Sequence, residues 1–179
     1  MKSLTKLGRA LRTIRFYKWS FGDLTASDSD IGMAAEYLVG EILDCLPPGR
    51  KVNALFDLVT KSGVSIEVKA TTKPHEERGR KPVYCWRIST QAAAIKGERP
   101  IADVWVLLIA KFPSSSVDIL DYRYWRAYVV TADQLRACKV TKTLRESALT
   151  RLGLASFSLA ELKRNFSAVM DRTGKFKQT

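Results

Sequence analysis

A chain of 179 residues, 46% of them apolar, suffices for one domain with a sizeable core. Its longest apolar run, Val104 to Ala110, falls far short of the roughly 18 residues of a membrane span. Cys45, Cys85 and Cys138 are odd in number and form no CxxC pair, which supports neither a disulfide framework nor a zinc site and suits a reducing, cytoplasmic compartment. The net charge of +12 is the first functional clue, because excess Lys and Arg suits a polyanion such as nucleic acid.

The cations cluster at Lys2 to Lys18, Lys73 to Arg87, Arg136 to Arg151 and Arg172 to Lys177. No acid precedes Asp23, and Leu4, Leu7, Leu11 and Ile14 recur at helical spacing between basic residues. Residues 1–22 therefore read as a basic helical arm on a domain of residues 23–179. The arm packs on the domain through its apolar stripe or touches phosphates, with Arg9, Arg12, Arg15 and Lys18 as the candidate contacts; a transit peptide is the competing reading.

Ser29 or Asp30 is placed to cap a helix from Ile31 to about Cys45, stopped by Pro47, Pro48 and Gly49. Val52 to Thr60 and Val64 to Thr71 read as strands joined by a turn at Lys61, Ser62 and Gly63. Lys73 to Pro82 reads as a charged, mobile loop, whose Lys73, Arg78, Arg80 and Lys81 suit a phosphate backbone or plain solvent equally. A strand at Val83 to Ile88, a short helix at Thr90 to Lys96, a buried strand at Asp103 to Ala110 and a strand at Tyr124 to Val130 follow. Thr131 caps a helix to about Ala137, and Ser158 with Glu161 has capping-box spacing at the head of a last helix through Leu162, Phe166 and Met170. The order predicts an α/β fold with a mixed sheet flanked by helices. Trp86, Trp105 and Trp125 stand in strand-like runs and read as core.

The hairpin carries the chemistry. A three-residue loop centred on Ser62 places Asp57 opposite Glu67, with Cβ atoms about 5 Å apart. Lys69 shares the face of Glu67, while Phe56, Leu58, Val64, Ile66 and Val68 form a core stripe on the other. Two opposed carboxylates repel unless a cation lies between them. A divalent metal supplies one, and an adjacent lysine can orient water and offset phosphate charge. The plainer reading is a solvated face with a Glu–Lys pair.

Phe56-Asp57, nine intervening residues, then Glu67-Val68-Lys69 resembles the bipartite signature of the PD-(D/E)XK nuclease superfamily, with Phe56 where the signature has proline. Gly32-Met33-Ala34-Ala35-Glu36 looks like the family's first helix. The resemblance covers about Ile31 to Val130 and implies a restriction endonuclease-like fold and a Mg2+-dependent DNA endonuclease, with Mn2+ as substitute. It implies Asp57 and Glu67 as metal ligands, the Val68 carbonyl as a further one and Glu36 reaching in from the helix. Lys69 would position the attacking water. Glu41 competes with Glu36 but lies about 140° round the helix from it. Gln91 is a further candidate, in a position where some family members carry a polar active-site residue. His75, the sole histidine, reads as a surface residue. Cutting both strands implies a homodimer. The alternative is a non-catalytic nucleic-acid-binding protein that keeps the fold, which the intact Asp57, Glu67 and Lys69 set disfavours.

Overall fold

The computed structural model describes residues 12, 15, 16, 30–46, 56–76, 81–88, 102–113, 118–138 and 143–173. It is a mixed α/β structure. Helix α1 (Asp30–Leu43) leads into β1 (Leu58–Val59), β2 (Ser65–Thr71), β3 (Cys85–Arg87), β4 (Val104–Ala110) and β5 (Trp125–Thr131). Then come α2 (Ala132–Ala137), β6 (Thr143–Arg145), α3 (Glu146–Arg151), β7 (Phe157–Ser158) and α4 (Leu162–Thr173). Short 3-10 turns at Tyr122–Tyr124 and Leu159–Glu161 precede β5 and α4.

The main sheet has the order β1-β2-β4-β5-β7, and β3 pairs with β6 in a separate antiparallel ribbon. Within the main sheet β2 and β4 are parallel and every other pair is antiparallel. The parallel pair is pinned where it starts. Asp103 Oδ2 accepts from the Ser65 backbone N–H at 3.0 Å and its hydroxyl at 2.8 Å, and the Asp103 N–H donates to that same hydroxyl oxygen at 3.0 Å.

The hairpin follows from its turn. Gly63 has φ 83, a conformation that strains any residue with a Cβ. The Gly63 N–H donates to the Thr60 carbonyl and the Thr60 N–H to the Val64 carbonyl, both at 2.9 Å, closing a three-residue loop. Leu58 accordingly pairs with Ile66 and Val59 with Ser65, the register that a loop centred on Ser62 demands. β1 is shorter than the sequence suggests and begins only at Leu58; residues 52–55 of that expected strand lie outside the described residues.

β4 is buried along its whole length and splits its side chains between two cores. Val104, Val106, Leu108 and Ala110 join Leu58, Ile66, Val68 and the inner faces of α1 and α4. Trp105, Leu107 and Ile109 join Trp86, Leu135, Leu144 and Leu149 from the ribbon, α2 and α3. Trp86, Trp105 and Trp125 are all buried, as expected of core residues. Phe56 departs from the expected stripe. It packs into the second core, not the first, because the backbone bends at 56 and 57 before the strand alternation begins.

Helix α1 ends at Leu43, ahead of the prolines that the sequence suggests as its stop. Asp44 takes φ 55, and the N–H groups of Cys45 and Asp44 bond back to the carbonyls of Gly40 and Glu41 at 2.9 and 3.4 Å. That is a Schellman cap, which satisfies two terminal carbonyls. Thr131 and Gln134 form the full capping box of α2. Ser158 does not form the expected one: its backbone is engaged with Arg126 in β7, and a 3-10 turn intervenes before α4. Glu161 instead binds Arg164 at 2.6 Å. Strands β6 and β7 and helix α3 had no clear sequence signal. The helix expected at Thr90 to Lys96 falls outside the described residues. Among the described residues no helix is long and apolar enough to cross a membrane.

Candidate active site

β1 begins only at Leu58, opposite Ile66, while β2 continues to Thr71, so the outer edge of β2 is uncovered by strand from about Glu67 onward. The backbone N–H of Val68 points to that edge and would be orphaned there. Asp57 takes it, with Oδ2 2.7 Å from the Val68 nitrogen. Within a strand a residue's carbonyl points to the same edge as its N–H, so the Val68 carbonyl faces the side on which Asp57 stands.

Glu67 lies on the opposite side of the pleat from Val68, toward the second core. Its backbone partner on β4 is Trp105, and the residue is only 3% exposed. A carboxylate so buried must be compensated. Lys69, two residues on and on the same face, supplies the charge: its ammonium bonds Glu67 Oε1 and lies 3.9 Å from Asp57 Oδ2. One cationic group thus lies within ion-pair reach of both carboxylates. Burial works to lower the Lys69 pKa, but Asp57, Glu67, the hydrogen bond to Glu67 and the Glu36 charge together hold it above the ordinary lysine value.

Glu36, on α1, is 9% exposed and acts on Lys69 through its charge. Among the described residues no three acidic, histidine or cysteine side chains form a cage for a metal ion. The donor set at the hairpin is therefore a carboxylate pair with Glu36 as a more distant charge. Glu41 is committed elsewhere: it receives the Tyr122 hydroxyl at 2.5 Å and lies 3.0 Å from Arg12 Nε. Of Glu36 and Glu41, only Glu36 bears on Lys69.

The candidate phosphate contacts are placed unevenly. Lys73 and Lys81 are exposed at either foot of the charged loop, whose base is tied by a backbone bridge between His75 and Val83. Arg15 is exposed. Arg12 is turned inward: its guanidinium lies 4.4 Å from the Tyr122 ring centroid, beside Glu41 and 3.4 Å from the Leu120 carbonyl. Phe16 is buried edge-on against Tyr37 at 5.5 Å, so this part of the arm packs on α1. The sequence offered packing on the domain as one use of the arm, through Leu4, Leu7, Leu11 and Ile14; Phe16 lies outside that spacing and gave no signal of its own. Arg9, Lys18, Arg78, Arg80 and Gln91 lie outside the described residues.

The donor set suits a hard divalent ion: two carboxylates, with a backbone carbonyl at the same edge, all oxygen. It is unsuited to a soft metal, which would seek thiolate or imidazole. No family model matches the chain, and no curated protein sequence does.

Proposed function

We propose that the chain is a metal-dependent endonuclease of restriction endonuclease-like fold that hydrolyses phosphodiester bonds in DNA. The observation that carries this reading is the convergence of Asp57, Glu67 and Lys69 just before β1 begins, where the β2 edge opens. Asp57 and Glu67 would hold Mg2+ or Mn2+, with the Val68 carbonyl as a further oxygen; bound there, the ion supplies Lewis-acid polarisation of the phosphate and an acidified water. The remaining work belongs to the chain's own residues. Lys69 donates hydrogen bonds to the attacking water and to a non-bridging phosphate oxygen, where charge grows as the bond to the leaving oxygen breaks. Glu36 helps to keep Lys69 charged. Trp105, beside Glu67 on β4, excludes bulk solvent from that side and strengthens every charge interaction there. The net charge of +12 draws DNA to the protein, and a two-fold dimer would cut both strands.

One observation favours a second reading, a DNA-binding protein without catalysis. The Lys69 ammonium reaches both carboxylates and offsets one of their two charges, so part of the compensation that a metal ion would give is already present. Incubation with Mg2+ against plasmid, linear duplex, four-way junction and single-stranded DNA decides between them. Cleavage by the native chain that Glu67→Gln abolishes supports the nuclease. Binding of every substrate with no cleavage of any leaves the second reading. Equal cleavage by both proteins places the activity elsewhere and sinks the assigned site.

A further inference from the structure

The register of the main sheet extends the face that carries Glu67 and Lys69. Lys69 pairs with Leu107 and Leu107 with Tyr128; one step further, Thr71 pairs with Ile109 and Ile109 with Arg126. Side chains two apart on a strand share a face, so Glu67, Lys69, Thr71, Ile109 and Arg126 stand on one side of the sheet. The backbone pairing persists to Lys111, whose N–H donates to the Tyr124 carbonyl at 2.8 Å, so Lys111 stays on the face of Ile109. Its ammonium lies 5.4 Å from the centroid of the Tyr84 ring, part of the same second core. Lys73 follows Thr71 past the end of β2.

Lys73, Lys111 and Arg126 are all exposed. They gather at the end of the sheet where the parallel strands β2 and β4 finish, the end toward which the Asp57–Glu67–Lys69 cluster opens. Thr71 and Arg126 are separated by two inter-strand spacings, about 10 Å. On this face Glu67 is the sole acid that β2, β4 and β5 carry, and β3 and β6 carry none. Glu76, exposed in the charged loop, is the nearest acid in sequence to Lys73 among the described residues. Lys111 and Arg126 belong to none of the cation clusters visible along the chain; sheet pairing alone brings them beside the site.

We infer that Lys73, Lys111 and Arg126 form a phosphate track, which carries the backbone of a DNA strand from the carboxylate cluster across the ends of β2, β4 and β5. The inference rests on the DNA reading for its occupant. Its physical basis is charge complementarity: a row of exposed cations crossing the strands and leading to the site, with no acid on β4 or β5 among them; Glu146, the acid that approaches this face, is taken up by the Tyr128 hydroxyl at 2.7 Å. Tyr84 pre-positions Lys111, because an ammonium over an aromatic face is held without losing its outward charge.

Binding of a fluorescent DNA duplex of about 30 base pairs, in EDTA to prevent cleavage, tests the track across a salt series. Lys111→Ala with Arg126→Ala removes two phosphate contacts, so the slope of log affinity against log salt becomes shallower by about 1.8, and affinity falls about tenfold near 0.1 M salt. The charge-conserving pair Lys111→Arg with Arg126→Lys keeps the native slope. Lys163→Ala with Arg164→Ala removes equal charge from exposed positions on α4, across the sheet, and also keeps it. A native slope in the first pair, from a protein whose own binding is steeply salt-dependent, overturns the track and leaves the DNA reading standing. Equal flattening by the α4 pair shows that net charge alone matters and overturns it too. A native protein that does not bind the duplex fails the DNA reading, and the track falls with it.

Discussion

The Asp57 carboxylate accepts the backbone N–H of Val68 at 2.7 Å, at the point where β1 ceases to cover β2. Asp57 therefore has a structural task besides any chemical one. Asparagine keeps an acceptor oxygen and loses the charge, whereas alanine loses both. Asp57→Asn is expected to lower Mg2+-dependent cleavage by about two orders of magnitude or more while its melting temperature stays close to native. Asp57→Ala should lose the same activity and about 1–2 kcal/mol of stability, because a backbone donor is left unpaired. Cleavage and thermal melting of the two variants check this; equal stability would mean that the Val68 bond contributes nothing.

Lys69→Ala should also abolish cleavage, for a different reason. It leaves Glu67, 3% exposed, without its counter-ion. Stability should fall by about 2–3 kcal/mol in EDTA. Divalent metal should bind at least as tightly as in the native chain and restore more melting temperature to the variant, since the competing ammonium is gone. Titration calorimetry with Mn2+ measures the affinity, and a large loss of it would contradict the role assigned to Lys69.

The arm carries a stability prediction. Phe16 is buried against Tyr37, and Arg12 lies between Glu41 and Tyr122. Phe16→Ala should cost about 3 kcal/mol, and deletion of residues 1–22 should cost at least as much. A truncated chain that melts at the native temperature but binds DNA more weakly would show instead that the arm is spent on phosphate contacts.

Alkaline pH should destabilise the fold. Burial, helped by the Asp44 charge, pushes the Cys45 thiol up to about 11 from 9.0. Burial and the Glu41 charge push Tyr37 up to about 12 from 10.0. The folded state therefore holds these protons where the unfolded chain releases them. Their contribution is full below pH 9, falls as pH rises through 11 for Cys45, and falls from 10 through 12 for Tyr37. The loss should reach about 5 kcal/mol at most for the two groups together. Urea unfolding between pH 8 and 12 measures it, and Cys45→Ala should flatten the part between 9 and 11. A level profile in the native chain would refute the assignment.

Much of the site was legible because the hairpin is local. Gly63 determines the turn and the turn sets the register of Leu58 and Val59; Asp57, in the bend just before β1, then reaches β2 by accepting the Val68 N–H and not by the expected ladder pairing with Glu67. The capping box at Thr131 and Gln134 and the buried run of β4 are local in the same sense. Signals failed where a residue had two uses. Ser158 has cap spacing, but its backbone pairs with Arg126, and strands as short as β6 and β7 carry no periodicity of their own.

What the chain determined by itself, then, is the set of pieces whose partners lie within a few residues: the turn, the register of Leu58 and Val59, the Lys69 beside Glu67 and the all-apolar central strand. Tertiary structure decided which acid of α1 bears on the site. Glu41 is drawn to Arg12 and Tyr122 from distant parts of the chain, and Glu36 is left to act on Lys69. It also turned Arg12 inward, sent Phe56 to the second core and aligned Lys111 and Arg126 with the face of Glu67 and Lys69. Each of these depends on contacts between segments far apart in sequence. Such contacts are chosen by burial and charge compensation over the whole fold, and residue spacing along the chain holds no record of them.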